Sequence, residues 1–282
     1  MLGASVKPAP TPAAPTEPAP TRAGRGELLG MWSSTRMVVL TAMSASLYAA
    51  VLIPFKVIPL IPGITELRPA NAVPVVCSFL FGPAAGWGAA IGNAIGDTFG
   101  GLGPGDVFGF AGNLLYGVAP YRVWRALGGG RPVPSTPLDW LRFSVSLVAG
   151  AACCALVVGW GLNLLGFVPF PLLGNVVLLN NVIAAGILAP LVLRQVYPRV
   201  ERAQLLFTDV MPTRRPGPLR ARIGLGLLLV GVVGGLVAGN LAATGAWQPA
   251  WVELSNSPTR APEVGFGVAP FVALAAAGLL LL

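Results

Sequence analysis

The sequence predicts an all-α integral membrane protein of eight crossing helices, six in a bundle followed by two more at the C-terminus. Three observations predict it. Of 282 residues, 55% are hydrophobic and only 10% are charged, whereas a soluble domain carries about 25% charged residues. The apolar runs are about 20 residues long, which is what a helix needs to cross the hydrocarbon core, and they lack the period of two of a barrel strand. Lysines and arginines collect between the runs, where they set orientation.

Residues 1–30 are rich in Pro, Ala and Thr and hold no apolar run. Such a segment cannot bury enough surface to fold, so a disordered cytoplasmic tail is expected. It has no short apolar core of a secretory signal, so the first hydrophobic run is expected to be retained. That run, 36–53, carries Ala42, Ala45, Ser46 and Ala49. Small residues let helices approach closely in lipid, and the Ala45/Ala49 pair serves either internal packing or the docking of another subunit. Pro54, Pro59 and Pro62 then end the helix. The loop 54–68 is apolar (Phe55, Ile58, Leu60, Ile61) and either folds back as a plug or lid, or merely connects.

Pro69 suits the first turn of a second helix ending near Phe81. Gly82-Pro83 turns the chain into a third, 84–99. Both are short for a full span and must tilt or be shielded by neighbours. Gly88, Gly92, Gly96 and Gly100 form a repeated GxxxG stripe, with Asn93 and Asp97 one turn apart on an adjoining face. The cluster Gly100-Gly101-Leu102-Gly103-Pro104-Gly105 is a turn; it lacks the Lys-Ser/Thr and preceding strand of a phosphate loop. A fourth helix, 106–124, places Asp106, Gly109, Asn113, Tyr116 and Gly117 on one face. Arg122, Arg125, Arg131 and Arg142 bracket the next loop. A fifth helix, 143–165, ends near Trp160 and Asn163, and a sixth, 171–193, holds Asn175, Asn180 and Asn181. Seven arginines lie between Arg194 and Arg222. Residues 199–222 read as a basic cytoplasmic linker joining a substrate-binding domain, 31–198, to two extra helices in 223–282, with apolar runs 223–243 and 264–282.

Function is concentrated in the stretch from Glu66 to Gly117. It is apolar enough to lie in a bilayer, yet it carries Glu66, Arg68, Asn71, Asn93, Asp97, Asp106 and Asn113. Such groups are costly in lipid unless they face protein or a water-filled cavity, so they point to a polar pocket between helices. Asn163 and Asn181 are further candidates, with Tyr116, Trp87 or Trp160 to pack on a ring. The alternatives are a structural ion-pair cluster for the charged residues and interhelical hydrogen bonding for the amides. There is no histidine, and Cys77, Cys153 and Cys154 all lie within apolar runs without CxxC spacing. A metal site or bound cofactor is not expected. The net charge of +8 is explained by orientation rather than nucleic acid. With the N-terminus in the cytoplasm of a cell-membrane protein, all 18 Lys and Arg except Lys56, Arg68 and Arg260 fall inside. The polar stretch then faces outward.

Several motifs resemble the substrate-binding (S) component of energy-coupling-factor (ECF) vitamin transporters. They are Glu66-Leu67-Arg68-Pro69-Ala70-Asn71-Ala72, Leu80-Phe81-Gly82-Pro83-Ala84-Ala85-Gly86, Gly92-Asn93-Ala94-Ile95-Gly96-Asp97 and Gly105-Asp106-Val107-Phe108-Gly109-Phe110-Ala111-Gly112-Asn113, with the Ala45/Ala49 pair. The resemblance covers about residues 36–198, and the Arg-Pro start is similar to the branch linked to queuosine precursors. It implies a six-helix S-component-like bundle that captures a vitamin-like or nucleobase-like micronutrient from outside, gated by the loop 54–68. It also implies docking of the first helix on a transmembrane coupling subunit that binds two ATPase subunits. The last two helices depart from the pattern. The cobalt and nickel branch uses an N-terminal histidine, which this chain lacks, so a metal substrate is not implied.

The chain has no Walker motif, so ATP use belongs to partners. A stand-alone secondary permease, with Asp97 and Asp106 coupling protons, is the alternative; the absence of clear repeated halves weighs against it. An intramembrane enzyme using Asp97 or Asp106 as base lacks a nucleophile–base constellation.

Overall fold

The computed structural model describes residues 26–55, 59–61, 65–66, 68–213, 215–250, 252 and 256–282. Eight principal helices follow in chain order: α1 Thr35–Phe55, α2 Ala72–Phe81, α3 Pro83–Thr98, α4 Asp106–Ala126, α5 Pro137–Leu164, α6 Phe170–Arg202, α7 Pro218–Thr244 and α8 Ala261–Leu281. Among the described residues five helices are long and apolar enough to cross a membrane: α1, α5, α6 with the turn after it, α7 and α8. α2 and α3 have 10 and 16 residues. At 1.5 Å per residue they reach about 15 and 24 Å, short of the roughly 30 Å hydrocarbon core. Shielding resolves this: every residue of α2 except Val73 is buried, and α3 packs between α1 and α4.

In the loop after α1, β1 (Pro59–Ile61) pairs antiparallel with β2 (Thr65–Glu66). The remainder of the expected plug or lid, 56–58, 62–64 and 67, lies outside the described residues, as does the tail over 1–25. Residues 27–30, read above as the end of a disordered tail, instead form a turn of helix. Arg125 Nη1 donates to Glu27 Oε1 at 2.9 Å, and the Trp87 indole N–H donates to the Leu28 carbonyl at 2.9 Å. Trp32 stands edge-on to Trp87 and Met31 is buried, so the turn is fastened to the ends of α3 and α4.

Three helix limits differ clearly from expectation, one of them the start of α7 at Pro218, five residues inside the expected linker. α5 starts six residues early because Thr136 and Asp139 make a capping box, each side chain accepting from the other's backbone N–H at 3.2 Å. α6 continues through Pro190 and Pro198 to Arg202, so the basic stretch begins as helix. Arg199 and Arg202 donate back to the carbonyls of Gln195 and Pro198, and cations suit a helix C-terminus.

α1 lays one face against α3. A Cβ on Gly88 would sit 2.4 Å from Ser44 Cβ, and one on Gly92 would sit 2.7 Å from the Ala45 carbonyl oxygen. Ala45 and Ala49 are therefore buried, and their reading as a partner-docking pair is corrected: they pack inside this chain. Ala42, Ser46 and Ala50 lie on the exposed side of α1.

α2 ends at Gly82, whose φ of 53° and ψ of −120° suit only glycine. A Cβ there would also lie 2.7 Å from the Phe207 ring. Gly82→Ala is expected to lower unfolding free energy by about 1–3 kcal/mol, readable as a fall in melting temperature of the detergent-solubilised protein.

α7 and α8 pack on each other and both against α5, with α7 also reaching α4 and α6. Six helices plus two in the chain become one continuous bundle in space.

Candidate functional site

Five polar side chains from four segments meet inside the bundle. Tyr48 comes from α1, Asn71 from the 3-10 turn Pro69–Asn71, Asn113 and Tyr116 from α4, and Asn181 from α6. None is more than 6% exposed. The Tyr48 hydroxyl lies 3.1 Å from Asn113 Oδ1 and 3.3 Å from Asn71 Oδ1. Asn71 Nδ2 donates to Asn181 Oδ1. The Tyr116 hydroxyl lies 2.8 Å from the Asn71 carbonyl oxygen and 3.4 Å from that of Asn181. Asn113 Nδ2 donates to the Gly109 carbonyl at 2.9 Å.

Depth follows from helix geometry. Tyr48 is seven residues before the end of α1 and Asn113 seven after the start of α4, so both lie about 10 Å inside the end of the bundle that carries the β-ribbon. The arginines Arg122, Arg125 and Arg142, with Arg199, Arg202 and Arg220, mark the opposite end.

The cluster keeps both acceptors and donors spare. One phenol proton is shared by two carboxamide oxygens, and another by two backbone carbonyls. Each amide oxygen can accept two bonds and each amide nitrogen carries two N–H, so the group retains capacity for both donors and acceptors of a bound molecule.

A second polar pair lies beside it. Asn93, buried, donates from Nδ2 to Asp97 Oδ2 at 2.6 Å. Gly109 leaves room for it: a Cβ on Gly109 would be 3.2 Å from Asn93 Nδ2. Arg68 and Asp97 are both half-buried, and the bond to Asn93 places Asp97 at the rim of the cluster.

Other expected members are elsewhere. The Asp106 carboxylate accepts from the Gly103 N–H at 2.7 Å, closing its own turn. Asn163 is fully buried, but its Nδ2 donates to the Thr259 carbonyl at 2.6 Å in the segment between α7 and α8. Its place in the pocket is corrected to a tie between α5 and the C-terminal pair. The Glu66 side chain lies outside the described residues. Tyr48 was missed: a lone tyrosine in an apolar helix reads as core, and only its place three and four residues from the buried Ala45 and Ser44 signals that it faces inward.

The expectation of an open hollow also changes. Buried carboxamides must find partners, and here they close on one another. A cavity of about 200 Å³ lies instead near the arginine-rich end, walled by Phe79, Tyr121, Trp124, Tyr197 and Phe207, and includes none of the expected site residues. Among the described residues no group of histidine, cysteine, aspartate or glutamate has the makings of a metal site.

A family model described as QueT transporter matches residues 38–198, more than half of the chain. That segment holds every member of the cluster and ends before α7. No curated protein and no solved structure matches the chain.

Proposed function

From the premise that this chain belongs to the QueT transporter family, we propose that it captures a queuosine precursor, a planar nucleobase-like molecule, at the cluster of Tyr48, Asn71, Asn113, Tyr116 and Asn181. The protein is a multi-pass membrane transporter component of the ECF S type and not an enzyme. The observation that carries the substrate reading is the meeting of five buried side chains with spare hydrogen-bonding capacity, drawn from α1, α4, α6 and the 69–71 turn. A base whose edge carries donors and acceptors can exchange bonds with these amides once they part to admit it, and the rings of Tyr48 and Tyr116, buried in the closed cluster, then flank it. Asn93, Asp97 and Arg68 stand where such a molecule would enter.

The N-terminus lies in the cytoplasm of the cell membrane and the β-ribbon end faces outward, because the arginines gather at the other end. Energy comes from a coupling subunit and two ATPases. Their contact falls on the exposed side of α1, where Ala42, Ser46 and Ala50 recur every fourth residue beside Val39, Met43 and Leu47. Small residues in that pattern admit a partner helix.

The test is native mass spectrometry of the purified protein, followed by titration with a queuosine-precursor base and with guanine for comparison. Retained or saturable binding of the base is expected. Absence of binding to either, or uptake into liposomes without ATP or partners, overturns the reading. Ser46→Leu is expected to abolish copurification of the coupling subunit while ligand binding stays within about twofold, since a side chain facing lipid carries little intramolecular energy.

A further inference from the structure

The helices α7 and α8 lie beyond the segment that the family model matches, yet they grip the helices that carry the site. The strongest grip is on the outer end of α6. Asn175 Nδ2 donates to Asn240 Oδ1 at 2.8 Å, and Asn240 Nδ2 returns a bond to Asn175 Oδ1 at 3.2 Å and reaches the Leu236 carbonyl at 2.8 Å. One turn away the fully buried Phe170 ring lies against Gly239, where a Cβ would be 2.5 Å from it. The remainder of α6 turns a stripe of Leu179, Ile183, Ile187 and Leu191, each 58–60% exposed, away from the bundle. At the opposite end Arg122 of α4 donates to the Leu279 carbonyl of α8 at 2.6 Å.

We infer that the Asn175–Asn240 pair sets the axial register of α6 and so positions Asn181 for the bound molecule. Asn181 follows Asn175 by six residues, about 9 Å along the helix and a third of a turn around it. A slide of one residue would move Asn181 by about 1.5 Å and turn it by about 100°, enough to part its Oδ1 from Asn71. α5 also touches this part of α6, through Gly159 and Gly174. That contact is apolar and without directional bonds, so it restrains separation better than rotation. The amide pair supplies the missing direction. On this basis the C-terminal pair is a brace for the substrate site rather than an independent module, an inference that rests on the cluster being that site.

The test compares wild type with Asn240→Leu, Asn175→Leu and the double variant. Replacing both amides leaves no unpaired polar group, so the double variant is expected to melt within about 3 °C of wild type. Its affinity for the queuosine-precursor base is nonetheless expected to fall about tenfold, chiefly through faster release. Asn240→Asp, isosteric and able to donate when protonated, is expected to recover affinity as pH is lowered. Unchanged affinity in the double variant overturns the inference. So does an affinity loss that only parallels a fall in melting temperature, which would mark a purely structural contact. If wild type itself binds no base, the assignment of the cluster fails instead, and the two failures are distinguishable.

Discussion

Asn181→Leu is expected to weaken binding of the queuosine-precursor base by about tenfold to a hundredfold while the protein remains folded. Two losses combine. The carboxamide oxygen that accepts from Asn71 Nδ2 disappears, and a buried amide left without its partner costs about 1–3 kcal/mol. Asn71 is then free to turn, which unseats the Tyr48 hydroxyl shared between Asn71 and Asn113. Each 1.4 kcal/mol is about tenfold in affinity, so one lost amide bond and one misplaced neighbour give the stated range. Asp106→Asn is the informative comparison. The Asp106 carboxylate serves its own turn at Gly103, so affinity should stay within about threefold, the scale of a surface change. Calorimetric titration of the two variants decides between them. A larger loss for Asp106→Asn than for Asn181→Leu would move the site from the amide cluster to the helix ends.

The second large effect concerns the packing on which the cluster stands. Gly117→Val is expected to prevent recovery of a folded, monodisperse protein. A Cβ at Gly117 would lie 2.6 Å from the Ala85 carbonyl oxygen and 2.7 Å from Gly86 Cα. Both are backbone atoms of α3, so no side chain can swing aside. α4 would have to withdraw by about 1 Å, carrying Asn113 and Tyr116 with it, and overpacking of this kind costs about 1–3 kcal/mol or more. Gly186→Val tests the same chemistry on α6 where a Cβ would meet nothing within 4 Å. That variant should elute and melt like wild type in size-exclusion and thermal-shift measurements. Equal behaviour of the two variants would show that close approach of α3 and α4 is not what holds this wall.

Most members of the buried polar cluster and of the pair beside it were legible in the sequence. Asn71, Asn93, Asp97, Asn113 and Asn181 stand out because amides and charges are rare in apolar helices, and Tyr116 shares the helix face of Asn113. Where the reading failed, the cause was local. Asp106 and Asn163 have the same chemistry as the others, but one bonds its own turn and the other the segment before α8. Tyr48 is the reverse case, an apolar-looking residue whose hydroxyl meets two amides.

Composition and segment length alone determined that the chain is a bundle of membrane helices. The spacing of polar residues determined that a few of those helices carry a polar centre, and the ordered motifs of 66–113 pointed to the family. Only the tertiary structure decided which small-residue face of α1 turns inward, which amides meet, and that α7 and α8 pack against the helices that carry them. The physical reason is the solvent. In water a helix shows its buried face by being apolar there, but in lipid both faces are apolar, and close packing rather than hydrophobicity selects the inner one. Ala42 and Ala45 are alike in sequence; the glycines of α3, brought against one of them, make the difference.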